Sequence, residues 1–430
     1  MSRLAPPPGM LPPSPSQPIP GAIGFEGLLR RVRLETRHLM WFGTFISLSA
    51  YLLGNKFGQI AAAVTIGVWI VYGLAYPARS ARWMLAAPLV WLFPLFAAGS
   101  TLWSIEPAIT QRLSTELMVF TGCGLLMAQT QSVRSFLSAL LCALMLAVGA
   151  SMIFGETAQI GLTGEIAFIG LFGSKNNFAF VTCLLLFASI AVLADRDQSR
   201  HFRRLAAIGL LLAPAVLVRT ISIGAFVSGA LGSATLVAVL IYSRVAPRWR
   251  GAFLLMCAGF GLAVVAFIGF AITQGITLDS LLASVGKDPG LTGRTFLWAR
   301  AESFIAERPL FGLGYQAFWV QGHVEAEGLW RYADIENRGG FHFHNLFFAT
   351  AVELGYFGVA ILAIQVLATF AAITAWTLRR PGPESGFFFA LFVFFLIRMP
   401  VELDFLSPFS YGALIVPLAW AIATRRHAPV

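Results

Sequence analysis

The feature that most constrains this chain is a succession of long apolar runs broken by short clusters of arginine. A helix needs about 20 apolar residues to cross hydrocarbon, and only helices or closed barrels can satisfy their backbone polar groups there. Twelve such stretches can be counted, at approximately 39–53, 59–76, 84–102, 113–128, 135–154, 178–194, 204–218, 221–242, 252–273, 355–377, 387–399 and 410–424. Several are short for a full crossing, the one at 387–399 most of all. Only 12% of the residues are charged and 57% are hydrophobic, against about 25% charged in soluble domains. The expected fold class is an all-α polytopic membrane protein with about twelve transmembrane helices.

Lysine and arginine set the orientation, because short cytoplasmic loops retain them. With the N-terminus inside and strict alternation, every inner segment is basic: Arg3 and Arg30 to Arg37, Arg79 and Arg82, Arg134, Arg196 to Arg204, Arg244 to Arg250, Arg379 and Arg380, and Arg425 and Arg426. These are 19 of the 30 basic residues. Both termini are therefore expected in the cytoplasm. One large outer loop covers about 274–342, where six further cations are offset by eight acids. The net charge of +10 is thus topological and does not point to nucleic acid.

Eight of the 22 prolines fall in the first twenty residues, so 1–37 reads as a disordered proline-rich tail with a basic segment, ahead of a transmembrane domain at 38–426. No cleaved signal peptide is read there. Cys123, Cys142, Cys183 and Cys257 lie inside apolar runs without paired spacing, which suits small buried hydrophobes.

Five outer cations are left unexplained by topology: Lys56, Arg112, Lys175, Arg219 and Arg398. Ionisable groups at the outer ends of spans mark substrate paths, although lysine and arginine also snorkel to headgroups. In "GLFGSKNNFAF", 170–180, Lys175 and Asn176 open a helix whose N-terminus suits an anion; an asparagine cap with an exposed lysine is the plainer alternative. A helix is expected from about Thr292 to Glu307, with Arg294 and Trp298 on one face. That pair can grip a phosphate and stack on a sugar, with Trp319, Trp330 and Tyr332 as further surfaces. A helix lying on the membrane surface fits the same residues. In "GGFHFHNLFFATAVELGYFG", 339–358, His342, His344 and Asn345 precede a short helix that Gly355 can close in a left-handed cap. No cysteine or carboxylate adjoins the histidines to complete a zinc site, so no metal and no cofactor are expected. Two acid pairs stand elsewhere: "DRD" at 195–197 on the inner face, and Glu402 with Asp404 outside, where Glu402 is expected to pair with Arg398 four residues before it.

The pattern His-Asn, nine residues, Gly, two residues, Gly at 344–358 resembles the signature of the O-antigen ligase and Wzy-type polysaccharide polymerase superfamily. "LWSIEP" (102–107), "GSKNN" (173–177), "TGRTFLW" (292–298) and "AERPLFGLGYQAF" (306–318) agree with it in order. The set most resembles exopolysaccharide polymerases of the ExoQ type, over about 35–424.

The resemblance implies a GT-C-like, inverting and metal-independent membrane glycosyltransferase of the bacterial inner membrane, its active site facing the periplasm. The donor would be a glycan on undecaprenyl diphosphate and the acceptor another glycan. Membrane lipid, a flippase and chain-length or export proteins would be its partners. It implies acceptor activation or positioning for His344, diphosphate binding for Arg294 and Arg219, and an anionic path at Lys175. Asn176, His342, Asn345, Trp298 and Arg398 complete the expected substrate-binding set. One departure stands out: where the family places Ser-Arg-Gly-Ala, this chain has "TISIGAF", with Ile223 at the arginine position. Arg219, four residues earlier, is expected to reach the same place from the same helical face. Other readings are a ligase that transfers glycan to lipid A core or protein, a metal-dependent transferase using paired acids, and a twelve-span secondary transporter. The last would show two homologous halves, and no internal repeat is seen.

Overall fold

The computed structural model describes residues 25–160, 165–274, 294–335, 338, 341–405 and 407–425. Residues 1–24, the stretch 275–293 of the expected outer loop and the pair Gly339 and Gly340 lie outside the described residues, whereas 25–37, expected to be disordered, are helical. The helices run α1 Phe25–Leu52, α2 Gly54–Ala75, α3 Pro77–Leu85, α4 Pro88–Gly99, α5 Pro107–Thr130 and α6 Val133–Phe154. A hairpin follows, β1 Glu156–Ile160 and β2 Glu165–Gly170, then α7 Lys175–Ala194, α8 Arg200–Thr220, α9 Ile223–Arg244 and α10 Arg250–Thr273. The rest are α11 Arg294–Glu307, α12 Val324–Tyr332, α13 Leu346–Arg379, α14 Pro383–Arg398 and α15 Tyr411–Ala423. Among the described residues the antiparallel hairpin, with Thr157 opposite Phe168 and Gln159 opposite Ile166, is the one departure from an all-helical chain.

Each of the twelve apolar stretches coincides with a helix. Among the described residues, seven helices are long and apolar enough to cross a membrane, and the pair α3 and α4, bent by 86°, would make eight. The chain is a multi-pass membrane protein. Its outward apolar residues, such as Leu74, Leu211 and Phe260, suit a hydrocarbon solvent, in which an exposed leucine costs nothing.

Within the unit Trp41–Val430, α7 is the central helix. It is apolar on all sides, as a buried helix must be, and packs on α6, α8, α9 and α14. Phe178, Phe180 and Phe187 are fully buried along it. Gly232 lets α9 approach closely: a Cβ there would lie 2.5 Å from Phe187 Cζ. Around this centre α5 packs on α4 and α15, and α13 packs on α4, α14 and α15.

The two ends of the bundle differ in chemistry. At one end Arg134 grips Asp195 at 2.6 Å and Asp197 at 3.0 Å, and Arg425 reaches the carbonyl of Gln131. The "DRD" acids are thus spoken for by an arginine. The helix starts and ends that carry His344, Asn176 and Glu402 meet at the opposite end.

Candidate functional site

Three of the recognised motifs are laced together beneath the site. The backbone of 309–316 runs along the start of α13: Leu313 N donates to Val352 O (3.0 Å), Gly314 N to Glu353 O (2.8 Å) and Tyr356 N to Pro309 O (2.8 Å). Gln316 N donates to the buried Glu353 carboxylate at 2.9 Å. On its other side Ile105 N donates to Leu313 O, Trp103 Nε1 to Phe311 O and Thr110 Oγ1 to Tyr315 O. Gly355 breaks α13 at the expected place, but at φ +64° and ψ −170° rather than in the expected left-handed cap. A Cβ there would stand 2.2 Å from the Leu310 carbonyl, so glycine is required both for the turn and for the strap crossing it.

Asn345 caps α13, its Oδ1 accepting from Phe347 N (2.9 Å) and Phe348 N (3.1 Å). Leu346 N donates to Met399 O, tying this start to the end of α14. Asn345 is 8% exposed, and its oxygen serves the helix rather than the expected substrate. His344, just before it, has φ +51°. A non-glycine residue in that region signals local constraint, and such outliers cluster at functional sites.

Glu402, beyond α14, is the centre of the polar cluster. Its Oε1 accepts from Asn176 Nδ2 at 2.7 Å and from Arg294 Nη2 at 3.1 Å. Its Oε2 lies 3.8 Å from His344 Nδ1, an ion-pair distance but not a hydrogen bond. The His344 Nδ1 atom is buried without a hydrogen-bond partner. Ser222 Oγ donates to Asn176 Oδ1 at 3.0 Å, completing the chain. Burial alone would raise the Glu402 carboxyl; His344, Arg398 and Arg294 outweigh it and hold it down at about 2. His342 is pushed down to about 3 by loss of water and by His344 beside it.

The structure thus gathers His344, Arg294, Asn176 and His342 and adds Glu402 and Ser222. Glu402 was expected to pair with Arg398. Instead Arg398, 3% exposed, makes a two-point bridge to Asp404 at 2.7 and 3.2 Å between the rings of Phe180 and Phe394. The i,i+4 backbone turn is present, Glu402 N donating to Arg398 O at 2.8 Å, but the Glu402 carboxylate is taken by Asn176 and Arg294. Arg398 is therefore a buried brace, not a group open to a ligand.

The helix α11 begins at Arg294, with Leu297, Ala301, Phe304 and Ile305 buried against the bundle. Trp298 Nε1 donates to Phe343 O (2.9 Å) and its ring stacks on Phe348, bracing the histidine segment with its polar tip already used. Trp319 and Trp330 pack together, Trp319 also on Phe341 and Phe343, while Tyr332 is exposed beside Phe296. Lys175 is the first residue of α7, half-buried; the cap is Ser174 rather than an asparagine. Lys56 pairs with Glu156 and Arg112 with Glu116, which accounts for both without a substrate. Arg219 is exposed, its guanidinium 4.5 Å over the Phe168 ring. It does not share a helix with Ile223: Ile221, at φ +52°, breaks the chain between α8 and α9.

His342, His344 and Glu402 do offer three ligand atoms within 4.8 Å of one another, a carboxylate that lay too far along the chain to be seen beside the histidines. The donor set is a poor one for a dication. Arg294 already neutralises Glu402, and His342 Nδ1 is engaged by the His344 amide at 3.0 Å.

Residues 208–363 match the sequence model of the O-antigen ligase family (Wzy_C). The chain is also 29% identical over 379 residues to the Exopolysaccharide production protein ExoQ of Rhizobium meliloti (strain 1021), covering 87% of this chain and 86% of that one. The resemblance read from the motifs is thereby shown.

Proposed function

We propose that the chain is a membrane glycosyltransferase that polymerises undecaprenyl-diphosphate-linked oligosaccharide repeats at the periplasmic face of the bacterial inner membrane. About twelve spans with both termini cytoplasmic would put the His344 cluster on that face. The relative's role in exopolysaccharide production and the O-antigen ligase match support this class of reaction. The observation that carries it is one carboxylate, Glu402, facing both Arg294 and His344.

In this reading an acceptor hydroxyl attacks the anomeric carbon of the lipid-linked sugar as the carbon–oxygen bond to the diphosphate breaks. His344 takes the hydroxyl proton on Nε2, while Nδ1 faces Glu402 and the carboxylate stabilises the imidazolium that forms. A separation of 3.8 Å is in keeping with a site whose catalytic bonds tighten only with substrate. The departing diphosphate gains negative charge, which Arg294 receives in a two-point grip, assisted by Arg219 and Lys175. A single displacement inverts the anomeric centre, and cationic side chains do the work a metal would otherwise do.

Polysaccharide from a strain lacking the gene tests the reading. Single repeats accumulating on lipid are expected of a lost polymerase. Long unattached chains would instead mean a ligase, the second reading, which the family match over 208–363 favours.

A further inference from the structure

Two histidines two residues apart stand in different relations to the site. His344 N donates to His342 Nδ1 at 3.0 Å, and the two rings lie 4.2 Å apart at 52°. Nδ1 is the same number of bonds from its Cα as the side-chain oxygen of asparagine. The contact therefore has the form of an Asx turn, in which that oxygen accepts from the amide two residues on. It encloses Phe343 and fixes the peptide unit from which His344 departs at φ +51°. On the C-terminal side the Asn345 cap and the Met399 carbonyl already hold the chain. Phe343, between the histidines, is buried, and its carbonyl is held by Trp298.

We propose that His342 is a positioning residue rather than a substrate ligand: its Nδ1 stands in for the acceptor of an Asx turn and fixes the 343–344 peptide unit from which the His344 imidazole is aimed at Glu402. The requirement is then for an acceptor at that atom and not for imidazole chemistry. His342 takes the tautomer with the proton on Nε2, because Nδ1 accepts. The inference rests on the glycosyltransferase reading for its assay.

The test uses the full chain in lipid nanodiscs with lipid-linked repeats, measuring kcat and donor KM separately. His342→Asn should keep most of kcat. His342→Ala and His342→Leu should lower kcat about a hundredfold with little change in KM, since a misplacement on the order of 1 Å costs about that much. If His342→Asn were as poor as His342→Ala, or if all three raised KM while kcat held, the imidazole would be contacting substrate and the positioning role would be overturned. His344→Ala, which should abolish turnover, separates the two claims. Its retained activity would sink the assignment of the base, whereas failure of His342→Asn alone would sink only the turn.

Discussion

Asn176 at the start of α7 and Glu402 beyond α14 are 226 residues apart and share a 2.7 Å hydrogen bond. That bond fixes the carboxylate that Arg294 and His344 both face. Asn176→Ala removes one hydrogen bond to a charged group, worth about 1.5–3 kcal/mol, and should lower polymer yield. Asn176→Asp should lower it further at neutral pH, because two carboxylates at this distance cannot both stay ionised cheaply. Wild-type yield from Asn176→Asp would mean that the Glu402 charge is irrelevant to turnover.

Arg219 is a weaker member of the set. Arg219→Ala should sharply reduce polymer, and Arg219→Lys should preserve it only in part, since a point charge does not bind a diphosphate at two points. Adding Ile223→Arg to Arg219→Ala is not expected to restore activity, because Ile221 separates the two positions onto different helices. Full activity in Arg219→Ala would remove the residue from the diphosphate site.

Orientation can be read by impermeant thiol labelling of intact cells in a version lacking Cys123, Cys142, Cys183 and Cys257. Ser199 begins α8 at the arginine-rich end and is exposed. Val324, 74% exposed, begins α12 in the loop expected outside and is a better probe than Glu327, which bridges Arg338 at 3.0 Å. A cysteine at 324 should label and one at 199 should not. Equal labelling would put the site on the wrong side for a periplasmic transferase.

Acid should loosen the site in two separable windows. His342 titrates near 6.5 unfolded and near 3 folded, so between those values the unfolded chain binds the extra proton and stability falls as pH falls. Glu402 titrates near 4.5 unfolded and near 2 folded; its contribution is complete above 4.5 and is lost as pH drops through 2. Thermal melting in detergent should therefore decline from about pH 6.5 downward. His342→Asn should flatten the upper part of that decline and Glu402→Gln the part below 4.5. Parallel curves for all three proteins would contradict the folded-state values assigned to both groups.

Much of the architecture was legible in the sequence because its signals are local. The apolar stretches, the Gly355 turn, the lysine-led start of α7 and the shared face of Arg294 and Trp298 each depend on residues within a few positions of one another, and helical periodicity reports them. His344 was legible through its motif. Only the tertiary structure decided what meets His344. Glu402 follows it by 58 residues and Asn176 precedes it by 168, and no spacing rule connects them. It also decided that Arg398 belongs to Asp404, because Asn176 and Arg294, both distant in sequence, take the Glu402 carboxylate. The strap over Gly355 was invisible for the same reason: its bonds are between backbone groups, whose partners are chosen by how distant segments pack and not by the side chains that a sequence displays.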